Sequence, residues 1–218
     1  MRIFELDNRF KQNMDQYADR LQNRVVDSSA MGKMWNHLTD TGSIPHMLGR
    51  QADNYLGLMS KCNPKRGNCA MTRFRSANML MLNLDKRTGR KQATANRQGI
   101  SSSDYILYGI HIEHSIPHNL KLKILEAKYA AGIIKTYEQF TDMYTKLSVG
   151  VGMTRNEEKN GIQPGYASKH PDITGDLAEL NIDSIRPFAR YTDNIVIYDM
   201  STGKPVSNTI TLANIEIN

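Results

Sequence analysis

Over residues 7–26 the apolar positions Phe10, Met14, Tyr17, Leu21 and Val25 recur every three or four places, which is one stripe of an amphipathic helix. A second helix is predicted over 29–38, carrying Met31, Met34, Trp35 and Leu38. Gly42-Ser43-Ile44-Pro45 then reads as a break and a restart, with Ser43 as a cap and Pro45 in the first turn. Leu48, Ala52, Tyr55 and Leu56 extend that third helix to about Met59. Residues 1–60 therefore read as an N-terminal helical bundle.

The pattern changes after that. Residues 76–84 are apolar but fit a strand or a helix equally, and Asp85-Lys86-Arg87-Thr88-Gly89 is a hairpin-type turn. Residues 92–103 are polar and read as a loop. The clearest strand is 105–112 (YILYGIHI), which runs into Glu113-His114-Ser115-Ile116-Pro117, where the proline disfavours helix at Ile116. Two helices are predicted next, over 120–131 and 136–146, split by Gly132. A short strand at 147–153 follows. Thr154 and Glu157 then have the spacing of a capping box, and Gly161 and Pro164 end the helix they open. Residues 163–187 read as turns and short helix. Segments 194–199 and 206–216 flank Ser201-Thr202-Gly203-Lys204 as a C-terminal β-hairpin. The fold class is α+β.

Composition and charge narrow the function. With 218 residues, 39% of them hydrophobic and 23% charged, the chain can build a folded core. No apolar run approaches the ~20 residues of a membrane span, and the first residues lack a secretory apolar stretch, so a cytoplasmic, non-membrane protein is expected. Cys62 and Cys69 read as free thiols, since no other cysteine exists to complete a zinc knuckle. The net charge of +6 is unevenly spread: residues 61–97 hold ten basic side chains and one acid, +9 in all, leaving −3 elsewhere. Such a segment suits a polyanion, because each neutralised phosphate releases counterions. The chain divides on this basis into a helical unit (1–60), a basic nucleic-acid-contacting segment (61–100) and a catalytic region with its hairpin (101–218). The candidate phosphate contacts are Arg73, Arg75, Lys86, Arg87, Arg90 and Lys91, with Arg155 and Arg190 further along.

The densest polar feature is His111-Ile112-Glu113-His114-Ser115-Ile116-Pro117-His118, at a strand exit. Strand alternation puts His111 and Glu113 on one face and His114 on the other. A histidine there can deprotonate water while a neighbouring carboxylate holds metal, the two parts that phosphodiester hydrolysis needs. Glu113-His114-x-x-Pro117, followed by a short strand and a Thr154-Arg155-x-x-x-Lys159-Asn160-Gly161 helix, resembles the ββα-metal core of His-Me finger (HNH-like) endonucleases over residues 105–161. It is similar in particular to the HNH domain of RNA-guided CRISPR nucleases.

The resemblance implies a DNA endonuclease with His114 as general base and Glu113 as a catalytic metal ligand. It also implies one divalent ion, Mg²⁺ or Mn²⁺ ahead of Zn²⁺, and a ligand from the helix. Asn160, Glu157 and Glu158 compete for that last place; Glu157 is taken by the cap, which leaves Glu158 and Asn160. Such enzymes are common in phages, mobile elements and restriction or defence systems. The 36 residues between Pro117 and Thr154 read as a helical pair inserted into the finger. A symmetric duplex cut would call for a homodimer, for which the sequence shows no interface.

His111 and His118 read as surface or packing histidines. Arg190, with Arg186, either clamps phosphate or ties the hairpin to the core. The alternative function is a non-catalytic nucleic-acid-binding or structural protein. A zinc hydrolase on His111, His114 and His118 is weakened by strand geometry and by Pro117. No His-Glu-x-x-His, phosphate-binding glycine loop or Gly-x-Ser-x-Gly elbow occurs.

Overall fold

The stripe of Met31, Met34 and Leu38 does face inward, on helix α1 (Ser28–Thr41), with all three side chains fully buried. The computed structural model describes residues 28–55, 73–81, 110–199 and 201–215. The helix expected over 7–26, the cysteines, and most of the basic segment lie outside those residues. After the break at Gly42, whose φ of 75° favours glycine, helix α2 (His46–Tyr55) begins.

Of the ambiguous segment 76–84 the described residues are 76–81, with Ser76 in a strand and the rest helical. Strand β1 (Phe74–Ser76) passes directly into helix α3 (Ala77–Met81). The switch lies at Ser76, whose Oγ accepts the Met79 amide at 3.2 Å, the bond an N-cap serine makes. Strand β2 (Ile110–His114) leads through Pro117 into α4 (His118–Ala130), which starts two residues earlier than its apolar pattern suggested. Gly132, with φ at 69°, ends α4: its amide bonds the Tyr129 carbonyl and the Ile133 amide bonds that of Lys128, a Schellman closure. Helix α5 (Tyr137–Lys146) opens on a capping box, Thr136 with Gln139, that the sequence reading did not include. Strand β3 (Gly150–Thr154) and helix α6 (Arg155–Asn160) meet at the expected Thr154–Glu157 box.

These elements make an α+β molecule with a five-stranded mixed sheet in the order β2-β3-β1-β4-β5, where β4 is Ile197–Asp199 and β5 is Lys204–Val206. Only the β1–β3 pair is parallel. β3 is buried at every position, as a strand with neighbours on both edges and layers on both faces should be. Helices α1 and α2 do not bundle by themselves. Met31, Met34 and Leu38 share one hydrophobic core with Ile124 and Leu125 of α4 and with Phe140 and Tyr144 of α5. Trp35 fastens that join, its ring 5.9 Å from Tyr129, edge-on, and 5.7 Å from Phe140.

The terminal hairpin departs from expectation in its return strand, which is β5 (Lys204–Val206) and not residues 206–216. The return strand stops at Val206, and Leu212–Asn214 form a single 3₁₀ turn whose first amide bonds the Ile185 carbonyl at 2.8 Å. Ser207 Oγ accepts the Thr209 amide at 3.1 Å, and this local bond turns the backbone away from further pairing.

One buried group in the turn-rich 163–187 region carries a pH dependence. His170 is 1% exposed, its Nδ1 accepts the Asp172 amide, and its Nε2 is buried without a partner. Burial pushes its imidazole down from 6.5 to about 4, against the opposing pull of Asp172 and nearby carbonyls. The folded state therefore holds this ring neutral while the unfolded chain protonates it. Stability should fall as pH drops from 6.5 to about 4, by about 3 kcal/mol for this residue. Urea titrations across that range should show the slope, and His170→Asn, which keeps an acceptor, should flatten it; an equally steep curve in the variant would refute the assignment.

Candidate functional site

The end of β2 presents two clusters on its opposite faces, as alternation requires. On one face His111 Nε2 lies 3.0 Å from Glu113 Oε2 and 3.2 Å from Glu158 Oε1 of α6. The remaining oxygen of each carboxylate is held by an arginine. Arg190 Nη2 donates to Glu113 Oε1 at 3.0 Å, and Arg155 pairs with Glu158 Oε2. Burial pushes the Glu113 carboxyl up, but the His111 hydrogen bond and the Arg190 charge reverse this and hold it below its ordinary value. Glu113 is thus an anion at neutral pH. His111 Nδ1 is buried without a partner, which makes Nε2 the nitrogen through which this ring acts.

On the other face, His114 Nε2 is 2.9 Å from Asp53 Oδ2, and His118 Nδ1 is 2.8 Å from the same oxygen. Asp53 Oδ1 accepts from Lys121 Nζ at 2.5 Å and Tyr144 OH at 2.7 Å, both fully buried side chains. Burial pushes the Asp53 carboxyl up, yet Lys121 and the two histidines drive it well below the usual carboxylate range. The same burial lowers the Lys121 ammonium and the His114 imidazole, with Asp53 opposing in each case. His114 is accordingly neutral near pH 7, the form a general base requires. Helix α2 comes this close because residue 49 is glycine: a Cβ there would sit 2.8 Å from His118 Cε1.

Glu113, His114 and His118 line one open cleft of about 430 Å³, together with His46, Arg50 and Lys123. Arg50 and Lys123 are exposed, so the cleft mouth carries positive charge directly beside His114.

Two residue groups in this region have the composition of a metal site. The His111–Glu113–Glu158 set could hold a metal ion. Its three inward atoms lie within 4.8 Å of one another, with the carboxylate oxygens 3.0 and 3.2 Å from His111 Nε2, and neighbouring ligands of a six-coordinate ion with bonds of 2.0–2.1 Å lie about 3.0 Å apart. The arginines on the outer oxygens are the kind of supporting shell that aims such ligands. The Asp53–His114–His118 set fits poorly, because the buried Lys121 ammonium already neutralises its only carboxylate, and a dication would be added beside a buried cation.

The residues expected from the sequence divide accordingly. Glu113 and Glu158 both lie against His111, and His114 shares the cleft with Glu113. Asn160 is not with them: its Nδ2 donates to Asn156 Oδ1 at 2.8 Å on the exposed side of α6. Glu157 is consumed by the cap and by Ser76, whose Oγ donates to its Oε2 at 2.5 Å. Arg190 is fully buried and Arg75 is 3% exposed, so neither reaches a phosphate. Arg190 instead ties Glu113 to the His114 and Ala167 carbonyls, and not the hairpin to the core as its structural alternative had it. Arg155 is committed to Glu158, and Arg73 makes a two-pronged bond to Asp199, 2.7 Å at its shortest. Lys86, Arg87, Arg90 and Lys91 lie outside the described residues.

His111 and His118, expected to be packing or surface histidines, instead each face carboxylates. Asp53, Lys121, Arg50 and Lys123 were not singled out at all. Asp53 stands 61 positions before His114, so no local spacing could link them; the available signal was an acid beside the apolar stripe of its helix. Comparison with protein-family models, with curated proteins and with solved structures finds no match for this chain.

Proposed function

We propose that this chain is a divalent-metal-dependent endonuclease of the His-Me finger type that hydrolyses DNA phosphodiester bonds. The observation that carries the reading is the convergence of His111, Glu113 and Glu158 on one face of β2, while His114, on the other face, shares an open cleft with Glu113. The order of elements supports it too. β2 and β3 pair antiparallel and α6 packs on both, with α4 and α5 inserted between the strands.

In this reading His111, Glu113 and Glu158 hold one Mg²⁺ or Mn²⁺. When bound, the ion supplies charge neutralisation for the scissile phosphate and its leaving oxygen. His114 accepts the proton of the attacking water at Nδ1, since Nε2 already donates to Asp53. Arg190 and Arg155 keep the two glutamates aimed inward. Arg50 and Lys123 contact flanking phosphates at the cleft mouth, in place of the buried Arg75 and Arg190.

The test is cleavage of supercoiled plasmid with Mg²⁺ or Mn²⁺, with EDTA as control. Metal-dependent nicking or linearisation is expected, and Glu158→Gln should raise the metal concentration needed for half-maximal cutting about 10-fold or more. A protein that retards DNA without cutting it under any divalent ion would instead be a nucleic-acid-binding protein.

A further inference from the structure

We infer that Asp53 is the positioning residue of His114, fixing the imidazole in the tautomer that carries its proton on Nε2 and leaves Nδ1 as the basic nitrogen. The catalytic part of this inference rests on the nuclease reading; the tautomer does not.

Donor and acceptor chemistry sets the tautomer. An ionised carboxylate only accepts, so the 2.9 Å contact between Asp53 Oδ2 and His114 Nε2 requires the proton on that nitrogen. Nδ1 then has a lone pair, and no described residue bonds it. The carboxylate is itself immobile. Lys121 and Tyr144 hold its Oδ1 from below, and His118 shares Oδ2 while its own Nε2 lies 3.3 Å from the His46 carbonyl. Ser148 Oγ receives a bond from Lys121 Nζ at 2.7 Å and passes its own proton to the Tyr144 carbonyl, so the ammonium is also fixed. A ring docked on such an anchor cannot flip or change tautomer without leaving a buried anion short of a donor, which costs on the order of the desolvation of the group.

The arrangement also spans the molecule. Asp53 comes from α2, in the helical N-terminal part, while the metal-holding glutamates come from β2 and α6. The N-terminal helices would therefore be part of the catalytic machinery and not merely a platform for DNA.

The experiment combines kinetics with nitrogen NMR of ¹⁵N-histidine-labelled full-length protein. In the wild type, His114 should show a protonated Nε2 and an unprotonated Nδ1. Asp53→Asn should lower kcat for plasmid cleavage on the order of 10²–10⁴-fold, as loss of the carboxylate behind a catalytic histidine does elsewhere. KM and the metal concentration for half-maximal cutting should stay unchanged, and His114 should lose its single tautomer. A merely structural Asp53 would leave the tautomer and the kcat-to-KM pattern unaltered.

A wild-type His114 protonated on Nδ1 overturns the inference with no variant needed, so a misfolded Asp53→Asn leaves it testable. So does Zn²⁺ that displaces the Nε2 proton in a Glu113→Gln, Glu158→Gln protein, since Asp53 and His114 would then be metal ligands. If the wild type never cuts DNA but shows the Nε2–H tautomer, the nuclease reading falls while the Asp53–His114 geometry stands.

Discussion

Replacing His114 by alanine is expected to lower metal-dependent plasmid cleavage by roughly 10²–10⁴-fold, the range that a positioned general base contributes. The loss should lie in kcat. His114 is outside the His111–Glu113–Glu158 group, so half-maximal activation by Mn²⁺ should shift little. Arg50 and Lys123 remain at the cleft, so DNA affinity in a gel-retardation assay should be nearly that of the wild type. The variant also removes one of the donors on Asp53, but Lys121, Tyr144 and His118 continue to satisfy that carboxylate and the fold should persist. A His114→Ala protein that cuts as fast as the wild type would show that the base lies elsewhere.

Lys121→Met should cause the largest loss of stability. The ammonium is fully buried, 2.5 Å from a carboxylate that is itself fully buried. Removing it leaves Asp53 as a poorly compensated anion, at a cost of about 3–5 kcal/mol. For a domain of this size that corresponds to a melting temperature lower by roughly 6–20 °C. The sign of the effect separates charge from packing. Methionine nearly preserves the volume, and the Asp53→Asn, Lys121→Met double variant removes both charges together. It should recover much of the loss, because replacing a buried pair is far less costly than breaking one. Chemical denaturation of the single and double variants measures the coupling; equal stability in both would mean that the pair is not held as an ion pair.

The comparison of sequence with structure is uneven for physical reasons. Elements defined by local chemistry were legible: the Met31–Leu38 helix, the turn at Pro117, the Thr154–Glu157 box, and the hairpin turn around Gly203. The two faces of β2 were legible as well, because alternation is a property of the strand alone. What could not be read was anything joined by the tertiary fold. Asp53 reaches His114 only because α2 docks on α4, and Gly49 permits that approach. Basic residues were over-read for a related reason. Charge counts along the chain do not distinguish Arg50, which faces the cleft, from Arg75 and Arg190, which are buried against protein partners. Asn160 is kept from the Glu158 group by a rotation of the helix: Glu158 turns toward β2, whereas Asn160 turns outward to Asn156.

The parallel pairing of β1 with β3 bears on how such a site can be assembled. Phe74 lies beside Val151 on one edge and Asp199 on the other, so β1 has no neighbour that is close in sequence. Helices α4 and α5 can form from local contacts, but both edges of β1 depend on closing loops of many tens of residues, each with an entropic cost that precedes any gain from pairing. During synthesis from the N-terminus, β1 thus gains its second neighbour only once Ile197–Asp199 has been made. Ser76, which ends that strand, donates to the Glu157 that caps α6, so the helix carrying Glu158 gains this support only when β1 has docked beside β3.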